Sequence, residues 1–265
     1  MPGSLHIITL VKWVPDAQLE RSIGENRRLD RREGILGELD EYPLEAALQI
    51  KENNDAATVR VSALTMGPTG ASAAVKKALQ IGADDGFHLN DEALAAADIS
   101  ATSAALAAAI NSVRDPDSAD YLVLTGMASD DGESGAVPAQ LAARLGVPAL
   151  TQARGVVLSG QRLVVDRISG NRQQSVAALL PAVVSVTDQA NDPRYPNFRA
   201  IMKARKKPVT TLDLADLGLT GHAVESKISM ITAEPRPERQ AGEIIHDDGE
   251  AGKQTVDFLT EEGLL

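Results

Sequence analysis

Residues 126–136, with the sequence GMASDDGESGA, are the part of the chain whose residue types and spacing point most directly to chemistry. They follow an apolar run that predicts a strand, and they precede a run with helical spacing. Small residues leave backbone N–H groups accessible at the start of a helix, where unpaired amides and the helix dipole bind phosphate. Ser134 is a candidate N-cap and a candidate hydroxyl donor to that phosphate. The segment therefore predicts a phosphate site; the alternative is an ordinary βα loop that carries glycine and a capping residue without a ligand.

Two further segments follow predicted strands: residues 12–16, KWVPD, and residues 66–70, MGPTG. Ligands of an open parallel sheet bind beyond the carboxyl ends of its strands, so we expect these segments to line the same crevice as residues 126–136. The adjacent acids Asp130 and Asp131 allow acid–base chemistry or magnesium binding. Adjacent acids in a polar loop are more often solvated capping residues, and this is the favoured interpretation.

Several chemistries are disfavoured by what the sequence lacks. It contains no G-x-x-x-x-G-K-[ST] phosphate loop and no G-x-S-x-G nucleophile motif, and residues 67–70 do not form the glycine fingerprint of dinucleotide-binding folds. The absence of cysteine removes disulfides, thiolate catalysis and cysteine-ligated metals. The four histidines show no short-spaced ligand pattern. No metal site is predicted, and no residue is assigned a catalytic role.

A second candidate site lies in residues 191–207, NDPRYPNFRAIMKARKK. Tyr195 and Phe198 lie close to prolines, and five basic residues follow in an otherwise acidic chain. An exposed aromatic side chain on a stiff loop beside positive charge is typical of a docking anchor with electrostatic steering. The alternative is a loop whose phenylalanine packs on the core, followed by a helix with a solvated basic face.

Strands and helices alternate along the first part of the chain. Apolar runs predict the strands, and apolar residues at helical spacing predict the helices. The predicted strands are 5–11, 57–65, 86–89 and 121–125, and the predicted helices are 41–53, 71–80, 99–113 and 134–145, with Asp40 as the cap of the first helix. This alternation predicts βαβ units, a mainly parallel sheet and right-handed crossovers.

The pattern changes after Pro148, where short apolar runs alternate with turn residues. The strands predicted there are 155–158 and 162–166, which form an antiparallel hairpin, followed by 176–180 and 182–186. Residues 17–37 are polar and are interpreted as an excursion or hairpin away from the sheet. Beyond residue 225 only 254–259 looks helical, so we expect this acidic tail to be disordered or to be ordered by another protein.

The overall composition limits the classes of function. A chain of 265 residues with 43% hydrophobic residues is long enough for one large α/β domain with appendages. Its formal charge of -11 disfavours nucleic-acid binding by phosphate neutralisation. No apolar run approaches the roughly 18–20 residues that span a bilayer, and the N-terminus lacks the pattern of a secretory signal. We therefore expect a cytoplasmic protein with no direct membrane insertion.

With these segments in place, the chain resembles the beta subunit of electron transfer flavoproteins, a family that includes the nitrogen-fixation (Fix) type proteins. The likeness covers essentially the whole length as an ordered set of motifs, which is specific although single pieces such as MGP are weak. The motifs are VKWVPD at 11–16, LDEY at 39–42, EAAL at 45–48, MGP at 66–68, KKAL at 76–79, GAD at 82–84, residues 126–138, residues 191–207 and AG at 241–242.

The resemblance implies a Rossmann-like, three-layer α/β/α fold akin to the adenine nucleotide alpha hydrolases, with AMP bound in the crevice. It makes residues 1–225 a nucleotide-binding domain and residues 226–265 a C-terminal arm that wraps the alpha subunit. The residues that fall on the AMP site are Leu10, Asp40, Met66, Gly126, Asp131, Gly132, Glu133, Ser134, Gly135 and Ala136. The residues that fall near the FAD, which the alpha subunit mainly holds, are Pro15, Asp16, Ala17 and Leu39.

The same resemblance makes residues 191–202 the recognition loop, through which the beta subunit docks on dehydrogenases. Phe198 stands where the family inserts an apolar side chain, often leucine, into its partner. The docking residues implied in this way are Tyr195, Phe198, Ile201, Met202 and Lys203.

The implied function is that of an electron carrier and not of an enzyme: the beta subunit of a heterodimeric electron transfer flavoprotein, with AMP as a structural ligand. It would take electrons from acyl-CoA and related dehydrogenases, as in fatty acid beta-oxidation, and pass them to a quinone-reducing electron transfer flavoprotein oxidoreductase. Two alternatives stay open. One is a bifurcating or Fix-type subunit with a second FAD in the nucleotide site, and the other is a universal-stress-protein-like module that binds adenylate and transfers no electrons.

Overall fold

The structure, a computed structural model, describes residues 4–20, 22–24, 27–54, 58–95, 97–118, 120–237, 242, 244, 246–247 and 249–265. Residue 57, the predicted start of a strand, and Ala241, one of the resembling residues, lie outside the described part. The chain divides into two compact units, Met1–Ala233 and Glu234–Leu265. The role of the tail as an arm stays a prediction.

The described part of the larger unit contains the strands and helices that the sequence predicts, in the predicted order, and a further strand, Val209–Leu212, that was not predicted. Its strands are β1 (Ser4–Leu10), β2 (Trp13–Pro15), β3 (Gly34–Leu36), β4 (Thr58–Met66), β5 (Asp85–Leu89), β6 (Asp120–Gly126), β7 (Ala149–Ser159), β8 (Arg162–Ser169), β9 (Arg172–Leu179), β10 (Ala182–Val186) and β11 (Val209–Leu212). Its helices are α1 (Glu41–Glu52), α2 (Ser72–Ile81), α3 (Ile99–Val113), α4 (Val137–Leu145) and α5 (Phe198–Ala204). The smaller unit contains α6 (Ala251–Glu261).

Nine strands form one sheet in the order β11-β5-β4-β1-β6-β10-β7-β8-β9. Neighbouring strands from β11 to β7 are parallel, whereas β8 pairs antiparallel with both β7 and β9. The excursion between β1 and α1 adds a small antiparallel pair in which Trp13 faces Leu36. These pairings confirm the predicted α/β class with a mainly parallel sheet.

Two cores lie on opposite faces of this sheet and make the fold three-layered. One core contains side chains of α1 and α2, and the other contains side chains of α3 and α4. In β1, Ile7 belongs to the first core and its neighbour Ile8 to the second, because successive side chains of a strand point to opposite faces. Burial on both faces explains why the central strands read as continuous apolar runs. The Rossmann-like, three-layer prediction is confirmed.

Helix α4 begins at Val137, three residues later than predicted. Glu133 and Gly135 have φ angles of 47° and 60°, which are left-handed values that a right-handed helix excludes. Pro138 lies in the first turn, where its fixed φ suits a helix start. The N-cap is Ala136, so the prediction that Ser134 caps this helix is wrong.

The strands that follow Pro148 are longer than the apolar pattern predicts. β7 begins at Ala149 instead of residue 155, and β9 begins at Arg172 instead of residue 176. Polar residues such as Gln173 interrupt the alternation of apolar and polar residues that predicts a strand. The backbone pairing of β8 with β9 nevertheless continues through them, with Gln173 opposite Ile168. Backbone pairing therefore sets the length of these strands.

A buried hydrogen-bonded chain joins β1, β4 and β5 near their amino ends. His6 Nδ1 accepts from the N–H of Asp115 at 3.0 Å, so Nε2 carries the ring proton and donates to Ser62 Oγ at 2.7 Å. Ser62 in turn donates to Asp85 Oδ1 at 2.5 Å. Burial of the ring, together with the nearby Arg60 guanidinium, lowers the pKa of His6 to about 4.

We expect this low pKa to reduce stability in mildly acidic solution. Below the ordinary pKa of 6.5 the unfolded chain binds a proton at His6 while the folded chain does not, until the pH reaches about 4. The free energy of unfolding should fall by about 1.4 kcal/mol per pH unit across that window, or about 3 kcal/mol in all.

Chemical unfolding of the protein at pH 4–7 checks this expectation by comparing the wild type with His6→Gln. We expect the His6→Gln variant to be less stable than the wild type near pH 7. Its free energy of unfolding should depend less steeply on pH, because the contribution of the histidine is removed. Replacement of the exposed His246 by glutamine is the matched control and should leave the slope in place. An equal slope in the wild type and in His6→Gln would contradict the assignment.

Candidate functional site

The carboxyl ends of β4, β1 and β6 lie side by side in the sheet and form the candidate nucleotide crevice. Leu10 pairs in register with Leu64, so Met66 extends two residues beyond the end of β1. Gly126 ends β6 on the other side of β1. Leu10 and Met66 are half-buried and pack against the second core. The structure therefore brings these three predicted residues together at one edge.

Asp40 forms the back wall of this crevice and does not cap its helix. The carboxylate accepts a hydrogen bond from the N–H of Lys12 at 2.7 Å, and no capping bond from its side chain to α1 is formed. A turn of 3₁₀ helix precedes α1, so Asp40 already has helical backbone angles, whereas a side-chain cap requires an extended residue. Asp40 is thus the N-cap residue of α1 by position, as predicted, but the prediction that its side chain caps the helix is wrong.

The position of Asp40 makes its charge sensitive to pH near neutrality. Burial raises the pKa of the carboxyl to about 7, against the opposing effect of the N–H groups of Lys12 and Gly126. The neighbouring Asp130 raises it further by repulsion. The carboxyl at the back wall of the crevice therefore changes its charge within the neutral pH range.

Asp131 is the centre of a compact ion-pair cluster. Its side chain is 1% exposed and receives Lys12 Nζ at 2.7 Å on Oδ1 and Arg31 at 2.5 Å on Oδ2. Lys12 Nζ also contacts Ser129 Oγ at 3.2 Å. Burial alone would raise the pKa of Asp131, but the two cations outweigh it and lower the pKa to about 2. Asp131 is neither a solvated capping residue nor a proton donor at neutral pH.

Lys12 and Arg31 place positive charge beside the loop, although neither stands out in the sequence as a site residue. Arg31 is one of five arginines in the polar excursion, and Lys12 is a single lysine after a strand. Lys12 and Arg31 lie 119 and 100 residues from Asp131. The sequence feature that could identify Lys12 as a site residue is its position directly after β1, at the edge where ligands of parallel sheets bind.

The loop of residues 126–136 presents backbone N–H groups ahead of α4. The N–H groups of Gly132 and Glu133 both bond to the carbonyl of Ser129, which folds the loop into a turn. Ser134 Oγ accepts from the N–H of Ala136 at 3.4 Å. Within the part of the chain that the structure describes, no acceptor faces the N–H groups of Ser134 and Gly135. Exposed amides before a helix suit a phosphate group.

The residues predicted near the FAD separate into two places. Pro15 and Asp16 line a cleft of about 390 Å³ between β2 and the excursion, and Ala17 beside them is exposed. Asp16 Oδ1 accepts from the N–H of Gln18 at 2.9 Å. Leu39 lies instead against Gly126, where a Cβ added to the glycine would be 2.8 Å from the carbonyl oxygen of Leu39. The backbone of Leu39 thus lies beside the end of β6, and Leu39 does not line that cleft.

The recognition loop presents its aromatic side chains to solvent. Tyr195 is 90% exposed and Phe198 is 79% exposed, which rules out the alternative in which Phe198 packs on the core. Phe198 begins α5, so Ile201 and Met202 lie one turn further on the same face. Lys203 is exposed beside them. The five predicted docking residues are therefore neighbours, while their role in docking stays a prediction.

Of the five basic residues between positions 199 and 207, Lys207 faces inward. Lys207 Nζ donates to the carbonyl oxygens of Leu79, Gly82 and Ala83 at the end of α2, at 3.0, 3.4 and 2.5 Å. A lysine there satisfies carbonyls that the helix leaves unpaired. Arg199, Lys203, Arg205 and Lys206 are exposed and make up the positive surface.

Two negative findings apply to the described residues. They contain no group of three or more His, Asp or Glu side chains placed to hold a metal ion. They also form no helix that is both long and apolar enough to cross a membrane.

Comparison with known proteins assigns the family. The model of the electron transfer flavoprotein domain matches residues 28–217. Electron transfer flavoprotein subunit beta of Mycobacterium tuberculosis is 37% identical over 98% of this chain and 99% of that protein. The caffeyl-CoA reductase-Etf complex subunit CarD of Acetobacterium woodii is 34% identical over 91% and 92% of the two chains. The beta subunit of Megasphaera elsdenii is 29% identical over 97% of each. The chain belongs to the electron transfer flavoprotein family, as a member of its beta-subunit branch.

Proposed function

We propose that this chain is the beta subunit of a heterodimeric electron transfer flavoprotein and that it binds AMP in the crevice as a structural ligand. The observation that carries the proposal is the pair of uncommitted N–H groups at Ser134 and Gly135, close in sequence to the Asp131 cluster. Phosphate suits such amides, and Lys12 and Arg31 supply favourable positive charge. Leu10 and Met66 offer half-buried apolar surface to a base.

The chain contributes binding and orientation, and the flavin supplies the redox chemistry by accepting and donating electrons. FAD is held mainly by the alpha subunit, with Pro15, Asp16, Ala17 and Leu39 of this chain approaching it. Asp131 is too acidic to act as a general acid at neutral pH and holds Lys12 and Arg31 in place. None of the residues described acts as a nucleophile in this proposal.

The recognition loop and the C-terminal tail each imply a partner. The recognition loop would dock on acyl-CoA and related dehydrogenases, which deliver electrons in processes such as fatty acid beta-oxidation, and a quinone-reducing oxidoreductase would accept them. The tail of residues 226–265 would wrap the alpha subunit. Its helix α6 leaves Val256 and Phe258 about half exposed, at 52% and 53%, as expected of a helix that another chain covers. We propose that the complex works in the cytoplasm.

The test is a nucleotide and flavin count on the heterodimer, obtained by co-expression with the alpha subunit. We expect one FAD and one AMP per heterodimer, both released on unfolding and separated by chromatography. A preparation that carries its flavin but releases no adenylate would contradict the structural role of AMP.

A second candidate function has one observation in its favour. The similar protein from Acetobacterium woodii is named as a subunit of a caffeyl-CoA reductase-Etf complex. If this chain works in a complex with a reductase as a bifurcating or Fix-type subunit, it would hold a second FAD in the crevice in place of AMP. Two flavins and no AMP per heterodimer would establish this alternative. A universal-stress-protein-like module would instead form a homodimer without flavin.

A further inference from the structure

Arg194, inside the recognition loop, makes a dense set of bonds to helix α1. Residues 191–197 form neither helix nor strand, so the backbone ladders of regular structure do not hold them in place. The side chain of Arg194 instead bonds to the carboxylates of Glu45 and Glu52. Its guanidinium donates to Glu45 Oε2 at 2.7 Å and Oε1 at 3.0 Å, and to Glu52 Oε1 at 2.5 Å and Oε2 at 2.9 Å. Its backbone N–H also donates to Glu45 Oε2 at 3.3 Å. Bidentate pairs of this type fix orientation as well as distance.

Glu45 makes this contact costly to break. Its side chain is only 5% exposed, and Gln49 Nε2 donates to it at 3.0 Å. Burial alone would raise the pKa of Glu45, but Arg194 outweighs it and the pKa lies below its ordinary value. A carboxylate buried without its cation is strongly unfavourable. The buried carboxylate of Glu45 therefore holds Arg194, and with it the loop, against α1.

Two further contacts fix the loop at its ends. Asn191 Nδ2 donates to the carbonyl of Tyr42 at 3.0 Å, close to the start of α1. Lys207, just beyond α5, donates to the carbonyls at the end of α2. Tyr195 and Phe198 lie between these attachment points and point into solvent. The aromatic pair is thus carried by a segment whose backbone is fixed on both sides.

We propose that Arg194 is a positioning residue for docking: it clamps the recognition loop to α1 and so presents Tyr195 and Phe198 in one arrangement before a partner arrives. This inference rests on the proposed docking function of the loop. A loop that is already ordered loses less conformational entropy on binding, and preorganisation of a few residues changes affinity about tenfold.

The decisive variant is Arg194→Lys, which keeps the positive charge and loses the planar fork. It is measured in the flavin-loaded heterodimer with an acyl-CoA dehydrogenase as electron donor. We expect the half-saturating donor concentration to rise about tenfold, with kcat and the rate of flavin reduction by dithionite unchanged. Arg172→Lys, at an exposed arginine that begins β9 outside the docking segment, is the matched control and should leave all three quantities unchanged.

A double-variant comparison separates positioning from general damage. In a Phe198→Ala background the docking anchor is absent, so Arg194→Lys should have little further effect on half-saturation. Equal effects of Arg194→Lys with and without Phe198, or no effect in the wild-type background, would overturn the proposal. If Arg194→Lys does not fold, Glu52→Gln decides, because Glu52 is 57% exposed and its loss removes only the outer half of the clamp. We expect about a threefold rise for that variant, and no rise would overturn the proposal.

The docking function of the loop and the positioning role of Arg194 are distinguished by these variants. If Phe198→Ala and Tyr195→Ala leave electron uptake unchanged, the docking function itself is wrong and the clamp has nothing to position. If those variants weaken uptake while Arg194→Lys and Glu52→Gln do not, only the positioning role is wrong.

Discussion

Replacing Phe198 by alanine is expected to lower kcat/KM for flavin reduction by a dehydrogenase about 30-fold or more. Phe198 is 79% exposed at the start of α5, with Tyr195 and Met202 exposed near it. Aromatic anchors at the centre of an interface typically contribute about 2 kcal/mol or more to binding, which corresponds to about 30-fold in affinity. Steady-state assays over a range of donor concentrations provide the measurement.

The effect should be specific to docking and should leave the flavin untouched. Flavin content and reduction by dithionite are expected to match the wild type, because Phe198 is mostly exposed and belongs to neither core. Val157→Ala is the matched control: Val157 is 63% exposed, but it lies on β7 outside the recognition loop. Equal loss of uptake in both variants, or none in Phe198→Ala with every donor tested, would contradict the anchor assignment.

Gly126→Ala is expected to empty the nucleotide crevice. A Cβ at this position would lie 2.8 Å from Asp40 Oδ1 and 2.8 Å from the carbonyl oxygen of Leu39. The carbonyl belongs to the backbone that starts α1, so it cannot move aside alone, and overpacking of this kind costs about 1–3 kcal/mol. We expect the bound AMP recovered from the heterodimer to fall about tenfold or more, with a lower melting temperature.

Gly155→Ala provides the matched control, because a Cβ there meets nothing within 4 Å. It should retain AMP and stability. Full retention of AMP in Gly126→Ala would show that the nucleotide does not bind in the crevice beside Gly126. The measurement is the AMP released on denaturation, expressed per FAD, so that loss of nucleotide is separated from loss of protein.

The sequence predicted most accurately those elements whose own residues carry a full helix or strand pattern. Helix α3 and strand β10 have the predicted bounds, 99–113 and 182–186, because one is a long small-residue helix and the other is buried on both faces. The start of α4 was mispredicted because two residues with positive φ interrupt a sequence that otherwise has good helix signals. Such local backbone angles depend on the folded loop.

The crevice could be placed from the strand order, but its electrostatics could not. Asp131 is held by Lys12 and Arg31 from 119 and 100 residues away, and Arg194 pairs with Glu45 across 149 residues. A single sequence contains no periodic signal for such pairs, since each partner looks like an ordinary surface charge. The pairing of β1 with β6 brings Lys12 close to Asp131, and the excursion adds Arg31.

The place of β10 in the sheet has a consequence for biosynthesis. β10 lies between β6 and β7, although β7, β8 and β9 all precede it in the chain. A growing chain that has not yet reached Val186 therefore has a vacant slot in the middle of its sheet, with the backbone groups of two strands open at that slot. Because domains fold as units during synthesis, the centre of this sheet is complete only once the chain has been synthesised through Val186, about two thirds of its length.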